Sequence, residues 1–216
     1  MPDIYSGAND GWILKSDSTF AGARDATTGT SSNSSASSNN FAIRASFAPG
    51  RPSGTYYMTR SFFYFDTSSV SDNPVEATLK IYGVTNMAAD FRVVKSTQLV
   101  GLGLATSDFD SIVGWATGTD NSSRVTYYDT AETSSWSIPG YIDVTLSDQA
   151  LVDMVAYDTF KCCLIESDHD LSNSSSLMNA TNYSGLYYAN ESDSAKRPYI
   201  QYTAGESNAI FFGANF

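Results

Sequence analysis

The segment YYMTRSFFYFDTSS, residues 56–69, decides the fold class. Six of its first ten residues are aromatic, and such residues suit a pleated, half-buried surface. Pro52, Ser53 and Gly54 bound the run on one side, and Asp-Thr-Ser-Ser closes it as a turn. It reads as the strongest strand of the chain. Its neighbour NPVEATLKIYGV, residues 73–84, alternates Val75, Ala77, Leu79 and Ile81 with Glu76, Thr78, Lys80 and Tyr82. Period two predicts a half-buried strand with the first four facing inward.

Working outward, short strands are predicted at residues 12–15, in FRVVKSTQ (91–98), RVTYYD (124–129), YIDVTL (141–146), FKCCLIESD (160–168), SGLYYANES (184–192) and PYIQYTAG (198–205). Helical signals are few. In SDQALVDMVAYDT, Ser147 stands at an N-cap position and Ala150, Leu151, Met154 and Val155 share one face. A second short helix is predicted near residues 108–113. Residues 26–40, ATTGTSSNSSASSNN, are uncharged, low in complexity and without apolar period, which predicts a long loop. The whole reads as an all-β fold: a two-sheet antiparallel β-sandwich, specifically a jelly roll, with long loops and one or two short helices. With 216 residues, 42% of them apolar, the chain can bury one core. Residues 1–204 are expected to form a single domain and 205–216 an aromatic tail.

The net charge is −11, with only 12 Lys and Arg scattered along the chain. Phosphate backbones need clustered cations, so nucleic acid is excluded as an expected partner. An acidic surface also disfavours anionic membranes, and no apolar run reaches the length of a span. MPDIYSGANDGW lacks a basic segment followed by an apolar one, so the expectation is synthesis in a cytoplasm without a signal peptide. Cys162 and Cys163 are adjacent; on a strand they face opposite ways, which predicts free thiols with one buried.

Catalytic chemistry finds no support. The one histidine, His169, lies between Asp168 and Asp170 in a polar loop, and no nucleophile elbow accompanies it. It reads as a solvated loop residue. One His and two vicinal Cys do not suffice for zinc. Asp108, Asp110, Asp168 and Asp170 offer oxygen ligands for a structural Ca²⁺, against the alternative of solvated loop carboxylates. No other cofactor is expected. Trp115, Trp136, Tyr127, Tyr128, Tyr187 and Tyr188 are the candidate glycan contacts, with Trp115, Tyr128, Trp136 and Tyr188 preferred, against the alternative of core packing. In VTYYDT and GLYYAN, alternation turns one tyrosine inward and one outward. In NAIFFGANF, residues 208–216, the apolar Ile210, Phe211, Phe212 and Phe216 require cover and are expected to dock onto another chain.

Single residues also suggest local roles. Asp66 is placed to cap a turn, and Arg60 to pair with Glu191 or Glu166 at a sheet edge. Arg197-Pro198 can open a strand where proline costs no ladder bond. Four segments in order, TRSFFYFDTSSV…NPVEATLKIYG, YIDVTL, FKCCLIESD and GLYYANESDSAKRPYIQYT, resemble the DNRLRE-type domain, a jelly-roll family related to carbohydrate-binding modules. The matching positions are Arg60, Phe65-Asp66, Ala77, Leu79, Ile81-Tyr82, Asp143-Val144-Thr145, Asn190-Glu191 and Arg197-Pro198. The resemblance runs from about residue 10 to residue 203 and implies a fold framework rather than an active site.

The expected function is that of a non-catalytic structural protein of a bacteriophage virion. It would be a capsid decoration or cement protein, or a fibre-like surface component. Such a protein would contact other virion proteins as a homo-oligomer, a trimer being the simplest form, and would leave the cell on lysis. The alternative is a carbohydrate-binding module or host-surface glycan-binding protein.

Overall fold

A computed structural model describes residues 1–70, 73–87, 89–99 and 103–205. The aromatic stretch is strand β5 (Thr55–Asp66), and it belongs to more than one ladder. Strand β2 (Gly11–Asp17) runs along one edge, from Gly11 opposite Phe62 to Asp17 opposite Tyr56. The other edge is shared. Strand β4 (Ser38–Ala48) pairs with the first half, ending at Arg44 opposite Thr59. Strand β9 (Thr159–Glu166) pairs with the second half, beginning at Ser61 opposite Leu164. Strand β6 (Pro74–Met87) is divided in the same way. Strand β8 (Gly140–Thr145) lines one edge, while β11 (Tyr199–Ala204) and then β10 (Tyr183–Tyr187) line the other.

The remaining strands extend these ladders. Strand β1 (Asp3–Tyr5) adds to β11, β3 (Ser31–Asn33) to β2, and β7 (Phe91–Lys95) to β9, while β10 also pairs with β4. Every pairing is antiparallel, and the fold is an all-β sandwich. A bridge between Ser6 and Phe65 brings the β1 end of the path back to β5.

Two cores result. Between the layers, Phe63, Phe65, Phe91, Val93, Phe160, Cys162 and Leu164 meet Leu79, Ile81, Ile142, Val144, Leu186 and Ile200. On the reverse face of β5, β7 and β9, Phe62, Val94, Cys163 and Ile165 form a second core with Ile13, Phe109 and Leu171. A short helix α1 (Phe20–Arg24) and the loop segments around residues 104–125 and 167–178 cover it. A sheet buried on both faces needs strands that are apolar throughout, which is why FKCCLIE shows no alternation. Both cysteines are therefore buried and free, and burial pushes both thiols well above their ordinary value.

Several expectations need correction. Residues 26–40 are not one loop: 31–33 form β3 and 38–40 begin β4. Backbone pairing needs no apolar side chains, so an exposed polar strand leaves no hydrophobic signal. RVTYYD is not a strand. It touches the ladders only at isolated bridges, because the Asp129 carboxylate takes the Val93 N–H at 2.7 Å in place of a backbone carbonyl. The helix expected at 108–113 is a single 3₁₀ turn, Thr106–Asp108. Helix α2 (Asp148–Ala156) does start at Ser147, whose hydroxyl accepts the Ala150 N–H. It buries Ala150 and Met154 but turns Val155 out and Asp153 in. Val75 is 66% exposed. The β6–β11 ladder skips from Glu76 to Pro74 there, leaving Val75 as the unpaired residue of a bulge.

Phe160 packs between Tyr128, at 4.6 Å between ring centroids, and Phe65, at 6.3 Å. Phe160→Ala should cost about 3–5 kcal/mol in chemical denaturation, and Val75→Ala less than about 0.5 kcal/mol. Equal losses would contradict the two-layer core.

Candidate functional site

The outer face of the β8-β6-β11-β1 ladder carries the most conspicuous surface feature. Alternation that sends Leu79, Ile81, Ile142 and Ile200 inward sends Tyr82, Tyr141 and Tyr199 outward. Register then brings them together. Tyr141 lies opposite Tyr82, and Tyr5 opposite Tyr199. Tyr82 meets Tyr141 at 5.1 Å and Tyr187 at 5.6 Å, both edge-to-face. Tyr199 meets Tyr141 at 5.4 Å and Tyr5 at 5.4 Å. Five tyrosines from five strands thus form one continuous strip, with Tyr5 half-exposed and the others partly so.

The strip is framed by polar groups. Lys80 pairs with Asp143 at 2.7 Å, Gln201 donates to Asp3 at 3.0 Å, and Lys196 stands 5.4 Å from the Tyr187 ring. The Tyr141 hydroxyl donates to the Ala195 carbonyl at 2.8 Å. Burial, with the neighbouring tyrosines, pushes Tyr141 up to about 12. The other four phenols have no hydrogen-bond partner among the described residues. Apolar ring surface set among free hydroxyls, an amide and a charge pair matches the two-sided character of a sugar, with its C–H faces and hydroxyl rim.

Of the four preferred aromatic positions singled out from sequence, Tyr128 and Tyr188 are buried, while Trp115 and Trp136 are partly exposed away from the strip's ring contacts. The inward-outward alternation holds in both tyrosine pairs, but the inward members are Tyr128 and Tyr188. Tyr128 is buried, donates its hydroxyl to Asp153 and stacks on Phe160. Tyr188 is fully buried, stacks on Phe63 and shares a 2.7 Å hydrogen bond with Ser61. Neither can reach a ligand. Trp136 packs edge-on against Phe91 at 5.4 Å. Trp115 lies over two guanidinium groups, Arg60 at 4.0 Å and Arg24 at 4.5 Å. The outward partners, Tyr127 and Tyr187, are the accessible ones.

Those two arginines form a closed polar knot in the second core. Arg60 is fully buried and is not at a sheet edge. It donates to both Asp170 carboxylate oxygens, at 2.8 and 2.7 Å, and to the carbonyls of Phe109 and Arg24 at 2.8 and 3.1 Å. Neither Glu191 nor Glu166 is its partner. Arg24 donates to the carbonyls of Asp170 at 2.6 Å and Thr119 at 2.7 Å, and to the Asp25 carboxylate. Gly114 holds φ at +85° beside Trp115, and a side chain there would strike the Arg124 carbonyl. Glu166 caps the π-turn Ser167–Leu171 by accepting the N–H groups of Asp168, His169 and Asp170 at 2.8–3.2 Å. Asn182 donates to it at 2.9 Å, while burial pushes its carboxyl up to about 7.

The four calcium candidates are not brought together. Asp170 is held by Arg60, and Asp108 accepts the Ala105 N–H to cap its own turn. Asp110 and Asp168 join no cluster of three such side chains among the described residues, and Asp168 is at the surface. Among the described residues no three His, Cys, Asp or Glu side chains converge. His169 is half-buried, with Nδ1 on the Ser174 carbonyl at 2.9 Å. Asp66 caps its turn as expected, accepting the Ser68 N–H at 3.1 Å. Ile210, Phe211, Phe212 and Phe216 lie outside the described residues. Sequence reasoning missed Arg24, α1 and the Tyr5-Tyr82-Tyr141-Tyr187-Tyr199 strip as a unit, naming only Tyr187 among its members as a candidate contact. The strip was within reach, since every member except Tyr5 sits on a predicted strand. No protein-family model matches the chain, and no curated protein matches it either.

Two predictions follow the buried charges. Arg60→Met and Asp170→Leu should each cost about 3–5 kcal/mol in denaturant unfolding, since each strands a buried charge. The double variant should cost clearly less than their sum, and additive losses would show that the pair is not coupled. Asp10 is buried, accepts the Ser6 hydroxyl at 2.7 Å and the Ala189 N–H at 3.1 Å, and burial raises its carboxyl from 3.8 to about 7. The folded state therefore holds its proton more tightly than the unfolded chain. Stability from this group is full below about pH 4 and is lost as pH rises through about 7. Thermal unfolding across pH 4–8 should show a shallower decline for Asp10→Asn than for the unaltered chain; matching slopes would remove Asp10 as the cause.

Proposed function

We propose that this protein is a non-catalytic recognition module that holds a carbohydrate chain across its tyrosine strip. The observation that carries this reading is the strip itself: five partly exposed aromatic rings, contiguous across five strands, on an outward face bordered by the turn Ser194–Lys196. Truncating any one of those rings would leave the fold standing, because their inward neighbours make the core. The titratable groups buried elsewhere are engaged in holding loops together, so the reading assigns them structural work. The resemblance to the DNRLRE-type domain, with its carbohydrate-binding relatives, supports the same class of ligand.

The setting we propose is the surface of a bacteriophage particle, as a decoration, cement or fibre-like component. A rigid sandwich with a net charge of −11 would stay soluble there and would present the strip to glycans of the host surface. The two parts of the proposal separate experimentally. Absence of the chain from purified particles would remove the setting and leave the glycan reading intact.

Binding to an array of bacterial surface polysaccharides tests the ligand class. The expected result is binding that weakens at least about tenfold in Tyr82→Ala and Tyr199→Ala, roughly 1.4 kcal/mol or more each. Tyr127→Ala, away from the strip, should leave it unchanged. No binding to any polysaccharide, or equal losses in all three variants, would overturn the reading.

A further inference from the structure

A second surface feature lies at the far end of β6 and is independent of the glycan reading. Helix α2 is apolar on more than the face it buries. Val152 is 60% exposed and Val155 37% exposed. With Pro74, Leu151 and Ala156 they line a groove of about 420 Å³ between α2 and the start of β6, and Asn73 forms its rim. Among the described residues, no charged side chain lines it. The bulged Val75 adds another exposed apolar residue next in sequence to that lining.

Strand β11 delivers the chain to this groove. Ala204 pairs with Pro74, and the Gly205 N–H donates to the Asn73 carbonyl at 2.9 Å. A side chain on Gly205 would stand 3.4 Å from Val75 Cγ1. The described residues stop there, and the segment that follows, ESNAIFFGANF, is residues 206–216. Four residues, 206–209, separate Gly205 from Ile210, a reach of up to about 17 Å when extended. An apolar groove in need of cover and an apolar segment in need of cover therefore begin at the same point. The geometry points to the groove as the docking site of the chain's own segment 210–216, in the same protomer. Tethering by four residues sets an effective concentration in the millimolar range, which a second copy in dilute solution does not match. The volume is also within the range of sites that take apolar groups of this size. Docking in the same protomer is the alternative to the expectation that the tail serves another chain.

Photo-crosslinking of the full chain tests this. Phe211→p-benzoylphenylalanine would be incorporated in ¹⁵N-labelled and unlabelled protein, and the two mixed in equal amounts. Crosslinks should fall on residues 73–75 or 151–156 and join peptides of the same isotope. Val152→Asp, at an exposed position, should lower their yield at least about fivefold with an unchanged circular dichroism spectrum. Crosslinks between differently labelled peptides would mean docking into a second copy and would overturn the proposal. Crosslinks elsewhere in the chain, or none, would overturn it too.

Discussion

One buried ion pair organises the molecule. Arg60 occupies the position on β5 between Thr59, where pairing with β4 ends, and Ser61, where pairing with β9 begins. The strand passes from one ladder to the other at that residue. Its side chain points into the second core, fully buried, where an unmatched charge would cost several kcal/mol. The match comes from outside the strands: the Asp170 carboxylate and the carbonyls of Phe109 and Arg24. Each lies in a different covering segment. Satisfying one guanidinium therefore draws three otherwise independent pieces of chain over the reverse face of the sheet. Phe109 and Trp115 then flank the cation at 4.1 and 4.0 Å, so that aromatic faces complete its surroundings.

The aim of Asp170 is itself set by a second buried carboxylate. Glu166 ends β9 and gathers the N–H groups of the π-turn, which fixes the direction in which Asp170 leaves it. Asn182 ties Glu166 to the Ala45 carbonyl on β4, at 2.9 and 3.1 Å. The network thus connects β4, β5 and β9 with the segment leading into β10. Backbone ladders join strands in sequence along a sheet, whereas this network reaches across the divide where β4 and β9 part. It supplies the polar partners that the ladders cannot offer there.

Much of the fold was legible because strand alternation is a local signal. The inward residues of β6 and β8 follow directly from period two, and the unpatterned FKCCLIE run follows from burial on both faces. What was not legible depends on partners distant in sequence. Arg60 and Asp170 are 110 residues apart, and an arginine on an aromatic strand looks the same whether it meets Glu191, Glu166 or Asp170. Alternation showed that one tyrosine of each Tyr-Tyr pair faces outward but not which one. That parity is set by register, through pairings such as Tyr187 with Ser38. Residues 31–33 and 38–40 escaped because Ser and Asn carry no hydrophobic period and backbone pairing needs none.

The same layering explains where a ligand face can lie. The β5, β7 and β9 side of the sandwich spends both of its faces on packing, one against the opposite sheet and one beneath the loops that Arg60 gathers. The opposite sheet keeps an outward surface. On such a surface, Thr, Lys, Glu and Gln satisfy solvation without exposing apolar area, and β6 does carry Thr78 and Lys80 there. Tyrosines at the neighbouring outward positions bring exposed ring surface that the fold does not require, since the core is complete beneath them. Their edge-to-face contacts limit that exposure and hold each ring against its neighbours. Rings held by one another have little freedom left to lose, which suits the strip to the glycan binding proposed above.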